Sequence, residues 1–263
     1  MNTLIKASKK IMLDSSSDVI ESNGSKKSDV KINIAPQIFH NPLIIYSTIS
    51  VIHAEIPVSF YIINEYNDSI ILNGVEYKFT HGNYDSNSFM SMFHSLINDF
   101  VLNFNRNTGV FSLSYISNFT LTGTSGVLLG YENNVLYTSV DNTIVMIKPA
   151  NFLGTKNIKI SSPNIRTENY DNGTKQDFLL NLQQNQAPYG LILYNNINGF
   201  NNVFLLEFLN FVHIQIRDDW NNLINFNSID WSITLQIDSY YYKLPKKYLL
   251  DSINEKEKSN DKK

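Results

Sequence analysis

Phe211-Val-His-Ile-Gln-Ile-Arg-Asp-Asp-Trp-Asn-Asn-Leu-Ile-Asn-Phe-Asn-Ser-Ile-Asp-Trp-Ser-Ile-Thr-Leu-Gln-Ile-Asp238 holds two runs that alternate apolar and polar residues. Val212, Ile214 and Ile216 share one parity, and His213, Gln215 and Arg217 the other. Trp231, Ile233, Leu235 and Ile237 then alternate with Ser232, Thr234, Gln236 and Asp238. Strand side chains switch faces at every residue, so each run predicts a half-buried β-strand. Between them, Asp218 to Asn222 has turn chemistry, because Asp and Asn side chains satisfy local backbone groups.

Working outward, strand signals dominate. Lys31 to Ile34 alternates, and Pro42 to Phe60 is apolar on both parities, as expected of a strand covered on both faces. Ser69 to Thr80 predicts a hairpin around Asn73-Gly74, the pair that a type I′ turn selects because both central residues need positive φ. Further short strands are predicted at Gly109–Ile116, Phe119–Thr122, Val127–Tyr131, Thr143–Lys148, Ile158–Ser161, Asp177–Gln183, Tyr189–Tyr194 and Val203–Phe208. One helix interrupts them. Ser86 or Ser88 can cap it, and Phe89, Met92, Phe93, Leu96, Ile97, Phe100 and Phe104 make an apolar stripe. Many short strands with one helix predict an all-β sandwich. No segment is set apart as an extra domain.

The chain has 263 residues, 43% of them hydrophobic, enough for a sizeable core. It has no cysteine, which excludes disulfides, thiolate metal sites and a cysteine nucleophile. No run approaches the ~18 apolar residues of a membrane-spanning helix. No long apolar stretch follows the lysines of Met1 to Lys10, so no signal peptide is expected. Charge is unevenly spread. Residues 1–31 hold six lysines against four acids, and residues 243–263 hold seven against four. The acidic middle makes a poor nucleic-acid platform, and no specific nucleic-acid binding is expected. Residues 1–29 are Ser-rich and polar and read as a flexible arm; residues 244–263 read as a charged tail; residues 30–243 read as one domain.

Catalytic chemistry finds little support. His40, His53, His81, His94 and His213 show no metal-ligand spacing and read as structural histidines. Asp218-Asp219 is an adjacent pair in a turn, and Glu55 and Asp230 are candidate buried acids without a partner. Gly123-Thr-Ser-Gly126 lacks the Lys-Ser/Thr of a phosphate loop and reads as a plain loop. No catalytic residue, metal site or cofactor is expected. The sequons at Asn67, Asn118 and Asn172 are expected by chance in a chain with 36 asparagines and no expected signal peptide.

An ordered series of segments carries a resemblance. It comprises Pro42-Leu-Ile-Ile-Tyr46 through Ile56-Pro-Val-Ser-Phe-Tyr-Ile-Ile-Asn64, Gly82-Asn-Tyr84, Leu128-Leu-Gly-Tyr131 and Phe152-Leu-Gly-Thr-Lys-Asn-Ile-Lys-Ile160. Pro188-Tyr-Gly-Leu-Ile-Leu-Tyr-Asn195 follows, and the stretch quoted first closes the series. Together they resemble the minor capsid, or penton, proteins of virophages and polinton-like viruses. The resemblance implies a single jelly-roll β-sandwich of two four-stranded antiparallel sheets with one inserted helix. It further implies a non-enzymatic structural protein of the virion, made inside the host cell and forming homopentamers at capsid vertices. Its partners would be a double jelly-roll major capsid protein and, at the outer surface, a host receptor. The outward Gln215, Arg217, Thr234 and Gln236, with Tyr241, are then candidate subunit contacts. The polar arm and the Glu132 to Asn142 loop depart from the family pattern. A carbohydrate- or receptor-binding β-sandwich, of fibre or lectin type, is the alternative, because jelly rolls serve both roles. A β-sandwich hydrolase would need converging histidines and acids.

Overall fold

The two alternating runs form long strands and lie in different sheets. The computed structural model describes residues 4–37, 44–165, 169–171, 174–176, 178–204 and 209–242. Eight principal strands build a sandwich. They are β1 (Leu4–Asp14), β2 (Asp29–Gln37), β3 (Ile44–Pro57) and β4 (Asn157–Ser161), then β5 (Phe178–Gln183), β6 (Leu191–Asn195), β7 (Leu209–Arg217) and β8 (Ser232–Tyr242). One sheet runs β1-β8-β3-β6 and the other β5-β4-β7-β2, with every neighbour antiparallel. This is the jelly-roll order, in which the chain passes repeatedly between facing sheets. A short edge strand extends each sheet, Val19–Ser22 beside β2 and Asn202–Phe204 beside β3.

The period-two pattern explains the core. Ile233, Leu235 and Ile237 of β8 face Val212, Ile214 and Ile216 of β7 across the sandwich, joined by Ile49 and Ile56 of β3 and Ile158 and Ile160 of β4. Trp231 is fully buried beside them, and its indole N–H donates to the Lys27 carbonyl at 2.6 Å. Its backbone N–H donates to Ser15 Oγ at 3.1 Å, and Ser15 Oγ donates to Asp230 at 2.7 Å. Lys27 completes this knot as the ion-pair partner of Asp230.

The N-terminal segment departs from its composition. Residues 4–14 are not a free arm: they pair with β8 in unbroken register from Leu4↔Tyr242 to Asp14↔Ser232. Ile11 and Leu13 are buried in the sandwich core, while Met12 stands outward in solvent. Without β1, β8 would present a row of unpaired backbone groups along its edge. Its outward lysines dilute the apolar alternation and make the segment read as a tail. Residues 19–22 also pair with β2, and a 3-10 turn at Gly24–Lys26 connects the two strands. The tail at 244–263 and His40 lie outside the described residues.

A second difference is larger. Between Pro57 of β3 and Asn157 of β4 the chain builds a unit with its own hydrophobic core, separate from that of the sandwich. The expected single domain is therefore a jelly roll carrying an insert. The insert has one sheet of Ser69–Leu72, Val75–Lys78, Thr120–Gly123 and Tyr137–Thr138, and another of Val101–Asn105, Val110–Ser114 and Thr143–Val145. The Asn73-Gly74 hairpin is present, with φ of 50° and 80° at the two turn residues. The helix α1 (Ser86–Leu96) also forms, capped by Asp85, whose carboxylate accepts from Ser88 N at 2.7 Å. It stops before Phe100; Phe104 belongs to the strand that follows. Phe89 and Phe93 point from α1 into the core.

Val127–Tyr131 is not the expected strand. Gly126–Leu129 is one helical turn closed by Gly130 at φ 94°, where the chain passes the Lys148 carbonyl. A short apolar run does not separate strand from buried helix by periodicity.

The sandwich has two poles. Asp14, Glu55 and Ser232 lie side by side at one, and Leu4, Ile44 and Tyr241–Tyr242 at the other. The insert springs from the first pole, and both ends of the described sandwich lie at the second.

Candidate functional site

Two kinds of surface stand out: the outer faces of the sheets and a cleft where the insert meets the sandwich. Gln215 and Arg217 project from the outer face of the β5-β4-β7-β2 sheet. They form a chain of contacts, in which Gln215 donates to Asp29 at 3.1 Å, and Arg217 donates to Gln215 at 3.0 Å and to the Asn221 carbonyl at 2.8 Å. Thr234 and Gln236 lie on the outer face of the opposite sheet, between Met12 and His53 and between Lys10 and Ser50 respectively. Gln236 donates to the Asp238 carboxylate at 3.1 Å. Tyr241 shares the parity of Leu235 and Ile237 at the far end of β8 and is only half-exposed. The five candidates thus fall on opposite faces and do not form one patch. Its neighbour Tyr240 stacks on Tyr46, with ring centroids 4.5 Å apart.

The acids and histidines resolve into structural roles. Asp218 is buried, and its carboxylate accepts from Trp220 N at 2.9 Å, Asn222 N at 2.8 Å and Asn222 Nδ2 at 3.2 Å. Burial pushes its carboxyl above the ordinary aspartate range despite those bonds. Asp219 turns to different partners, Lys156 N at 2.6 Å and Asn157 Nδ2 at 2.7 Å, at the start of β4. Burial opposes its ionised form, but the donors from Asn157 and Lys156 outweigh burial and hold its carboxyl low. The pair is a connector: one carboxylate closes its own loop and the other clamps the returning chain. Glu55 and Asp230 are not buried acids, since both keep substantial contact with solvent.

His53 contacts Asn195 at 2.8 Å, His81 contacts Asp68 at 2.9 Å, and His94 Nε2 accepts from Leu102 N at 3.2 Å. His213 is bonded to Asp29. Among the described residues, no three His, Asp or Glu side chains are grouped to hold a metal ion.

The cleft was not visible in the sequence. It encloses 260 Å³ at the insert-bearing pole, between Tyr61–Asn67 and Asn151–Thr155, the strands of chain entering and leaving the insert. Its remaining walls are the Val127-Leu128 turn with Asn133, and the β7–β8 loop with Asp218, Trp220 and Asn222. The two sides are tied by a Lys26–Glu65 ion pair at 2.7 Å and by Tyr66 Oη donating to the Leu223 carbonyl at 3.4 Å. Trp220 is half-exposed, and it is the signal that sequence reading could have used: a Trp in a polar turn is seldom placed for packing alone.

No family model matches this chain, and no curated protein matches it. Among solved structures, its fold is similar to that of the mavirus penton protein, at 13% identity and a TM-score of 0.46, over 88% of this chain and 99% of that one. It is also similar to a chain of the Sputnik virophage, at 13% identity and a TM-score of 0.41, over 88% of this chain and 97% of that one.

Proposed function

We propose that this chain is a non-enzymatic viral structural protein, a minor capsid protein that closes capsid vertices as a homopentamer. The observation that carries the reading is the strand order β1-β8-β3-β6 against β5-β4-β7-β2, a jelly roll with an insert at one pole. Jelly rolls are a recurrent capsid architecture. The ordered motif series from Pro42 to Ile237 points to the same class.

Cyclic assembly supplies a physical reason for the placement of the contact candidates. A ring needs head-to-tail contacts between two different patches, one on each side of the subunit. Gln215 and Arg217 on one outer face, and Thr234 and Gln236 on the other, meet that requirement. Hydrogen bonds to Asp29, Asn221 and Asp238 hold Gln215, Arg217 and Gln236 in place before association, which lowers the ordering cost at an interface. Tyr241, near the far pole, is the candidate for contact with a double jelly-roll major capsid protein. The insert then faces away from that shell, where a host receptor would be met.

Native mass spectrometry and negative-stain microscopy of the purified chain test the proposal, together with co-expression beside a double jelly-roll partner. A fivefold ring that enters particles is expected. Gln236→Arg and Gln215→Arg are each expected to weaken the ring while leaving the melting temperature unchanged. A strict monomer that never enters particles overturns the reading.

A further inference from the structure

We propose that the cleft between the insert and the sandwich is a binding site for one neutral sugar residue of a glycan. The inference stands apart from the capsid reading, since it rests only on the chemistry of the cleft walls.

Charge narrows the ligand first. None of the cleft-lining residues is Lys, Arg or His, and Lys26, whose amine lies 5.8 Å from the centre of the Tyr66 ring, is already paired with Glu65, so an anionic ligand finds no unpaired cation among them. The sole acid is Asp218, and three N–H donors from Trp220 and Asn222 already occupy its oxygens. They fill three of the roughly four acceptor sites of a carboxylate, so little of that charge is left for a cationic ligand.

The polar groups left over suit hydroxyls. Asn133 spends its amide oxygen on Gly126 N at 2.8 Å, and Asn151 spends its own on Leu153 N at 3.1 Å. Each therefore keeps an NH₂ donor available at the cleft. Asn222 is the reverse case: its NH₂ is bonded to Asp218, leaving its amide oxygen as an acceptor. Fixed donors beside a fixed acceptor match a ring of hydroxyls, because every hydroxyl both donates and accepts. One end of each amide is anchored by the fold, so little side-chain freedom is lost on binding.

Apolar surface completes the match. Trp220, Tyr61 and Tyr66 contribute aromatic rings to the lining, and Ile62 and Leu128 add aliphatic surface. A sugar ring has an apolar C–H face and a polar rim, the combination that such a wall distinguishes from a purely polar solute. The volume of 260 Å³ lies just below the ~300–1,000 Å³ common for ligand sites, which suits a single ring.

The test uses the full chain and saturation-transfer NMR with methyl glycosides of glucose, galactose, mannose and N-acetylglucosamine, with sialic acid as the charged comparison. At least one neutral glycoside is expected to receive saturation, most strongly at its ring C–H protons. Asn151→Asp and Asn133→Asp keep the oxygen that each backbone N–H needs and replace the free donor with a charged acceptor. Each is expected to weaken binding about tenfold, as loss of one good hydrogen bond implies. Trp220→Ala should abolish transfer and Trp220→Phe should restore part of it, with unchanged melting temperatures showing that the fold is intact. Silence from every neutral glycoside, preference for sialic acid, or binding indifferent to all four variants overturns the proposal. Native mass spectra of the same samples report the ring separately, so failure here leaves the assembly reading to stand or fall alone.

Discussion

Phe89→Ala tests whether the two hydrophobic cores are independent units. Phe89 is fully buried at the centre of the insert, with ring centroids of Phe79, Phe152 and Phe111 at 5.0, 5.4 and 6.1 Å. Truncating a buried Phe costs about 3–5 kcal/mol, because the transfer loss adds to the cavity left behind. A unit of roughly 100 residues has a total stability of about 5–15 kcal/mol, so the loss removes a large share. Both tryptophans, Trp220 and Trp231, lie outside the insert. In a Trp220→Phe background, emission reports only Trp231, deep in the sandwich. Urea titration should then show the Trp231 transition almost unmoved by Phe89→Ala. Amide hydrogen exchange should show protection lost across residues 69–145 at lower urea. An unfolding free energy reported by Trp231 that falls by the full ~3–5 kcal/mol would mean that the cores unfold as one, and would refute the division into two units.

Further outcomes are expected. Deleting residues 1–14 should destabilise the sandwich by about 3 kcal/mol or more, since Ile11 and Leu13 are buried and each is worth ~1.5–3 kcal/mol; a free arm would give no change in the denaturation midpoint. Gly130→Ala should cost several times more than Gly199→Ala in thermal melts. A Cβ at Gly130 would sit 2.0 Å from the Lys148 oxygen, whereas one at Gly199 meets nothing, and both positions have positive φ. Asp238→Asn should flatten the acid limb of the stability profile. Burial pushes the Asp238 carboxyl up, but the 2.7 Å pair with Lys6 and bonds from Ser8 and Gln236 outweigh burial and hold it below 3.8. Its stabilisation is therefore complete above pH 3.8 and lost as pH falls through the lowered folded-state value. Denaturation midpoints between pH 2 and 5 in both proteins check this, and parallel curves would count against it.

Local patterns were legible where burial and periodicity agree. β7 and β8 declare themselves because each has one face in the core, and the Asn73-Gly74 turn because few residue pairs tolerate two positive φ angles. β1 was hidden because Lys6, Lys9 and Lys10 crowd the same few residues as Ile11 and Leu13. Composition reports the average of a strand, whereas burial of β1 rests on only two inward positions, Ile11 and Leu13. The insert was hidden for another reason. Its strands, though only two to five residues long, carry the same apolar alternation as those of the sandwich, and no linker marks residues 58–68 or 149–156. Only long-range pairing separates Ile70, which joins Gly123, from Ile56, which joins Ile192. The cleft is less legible still, since Tyr61, Asn133, Asn151 and Trp220 meet from four distant segments.

The opposed poles give the molecule a natural handle. β8 is 11 residues long, about 35 Å at the usual rise of a strand, and it separates Tyr242 from the loop that carries Trp220. A tag, dye or surface tether joined to the chain near either Leu4 or Tyr242 would therefore sit a full strand length from the cleft. Immobilised in that way, the protein would present the insert and the cleft mouth to the solution on every copy. A fusion placed instead at the Asn73-Gly74 turn would ride on the insert, and would project from the opposite pole.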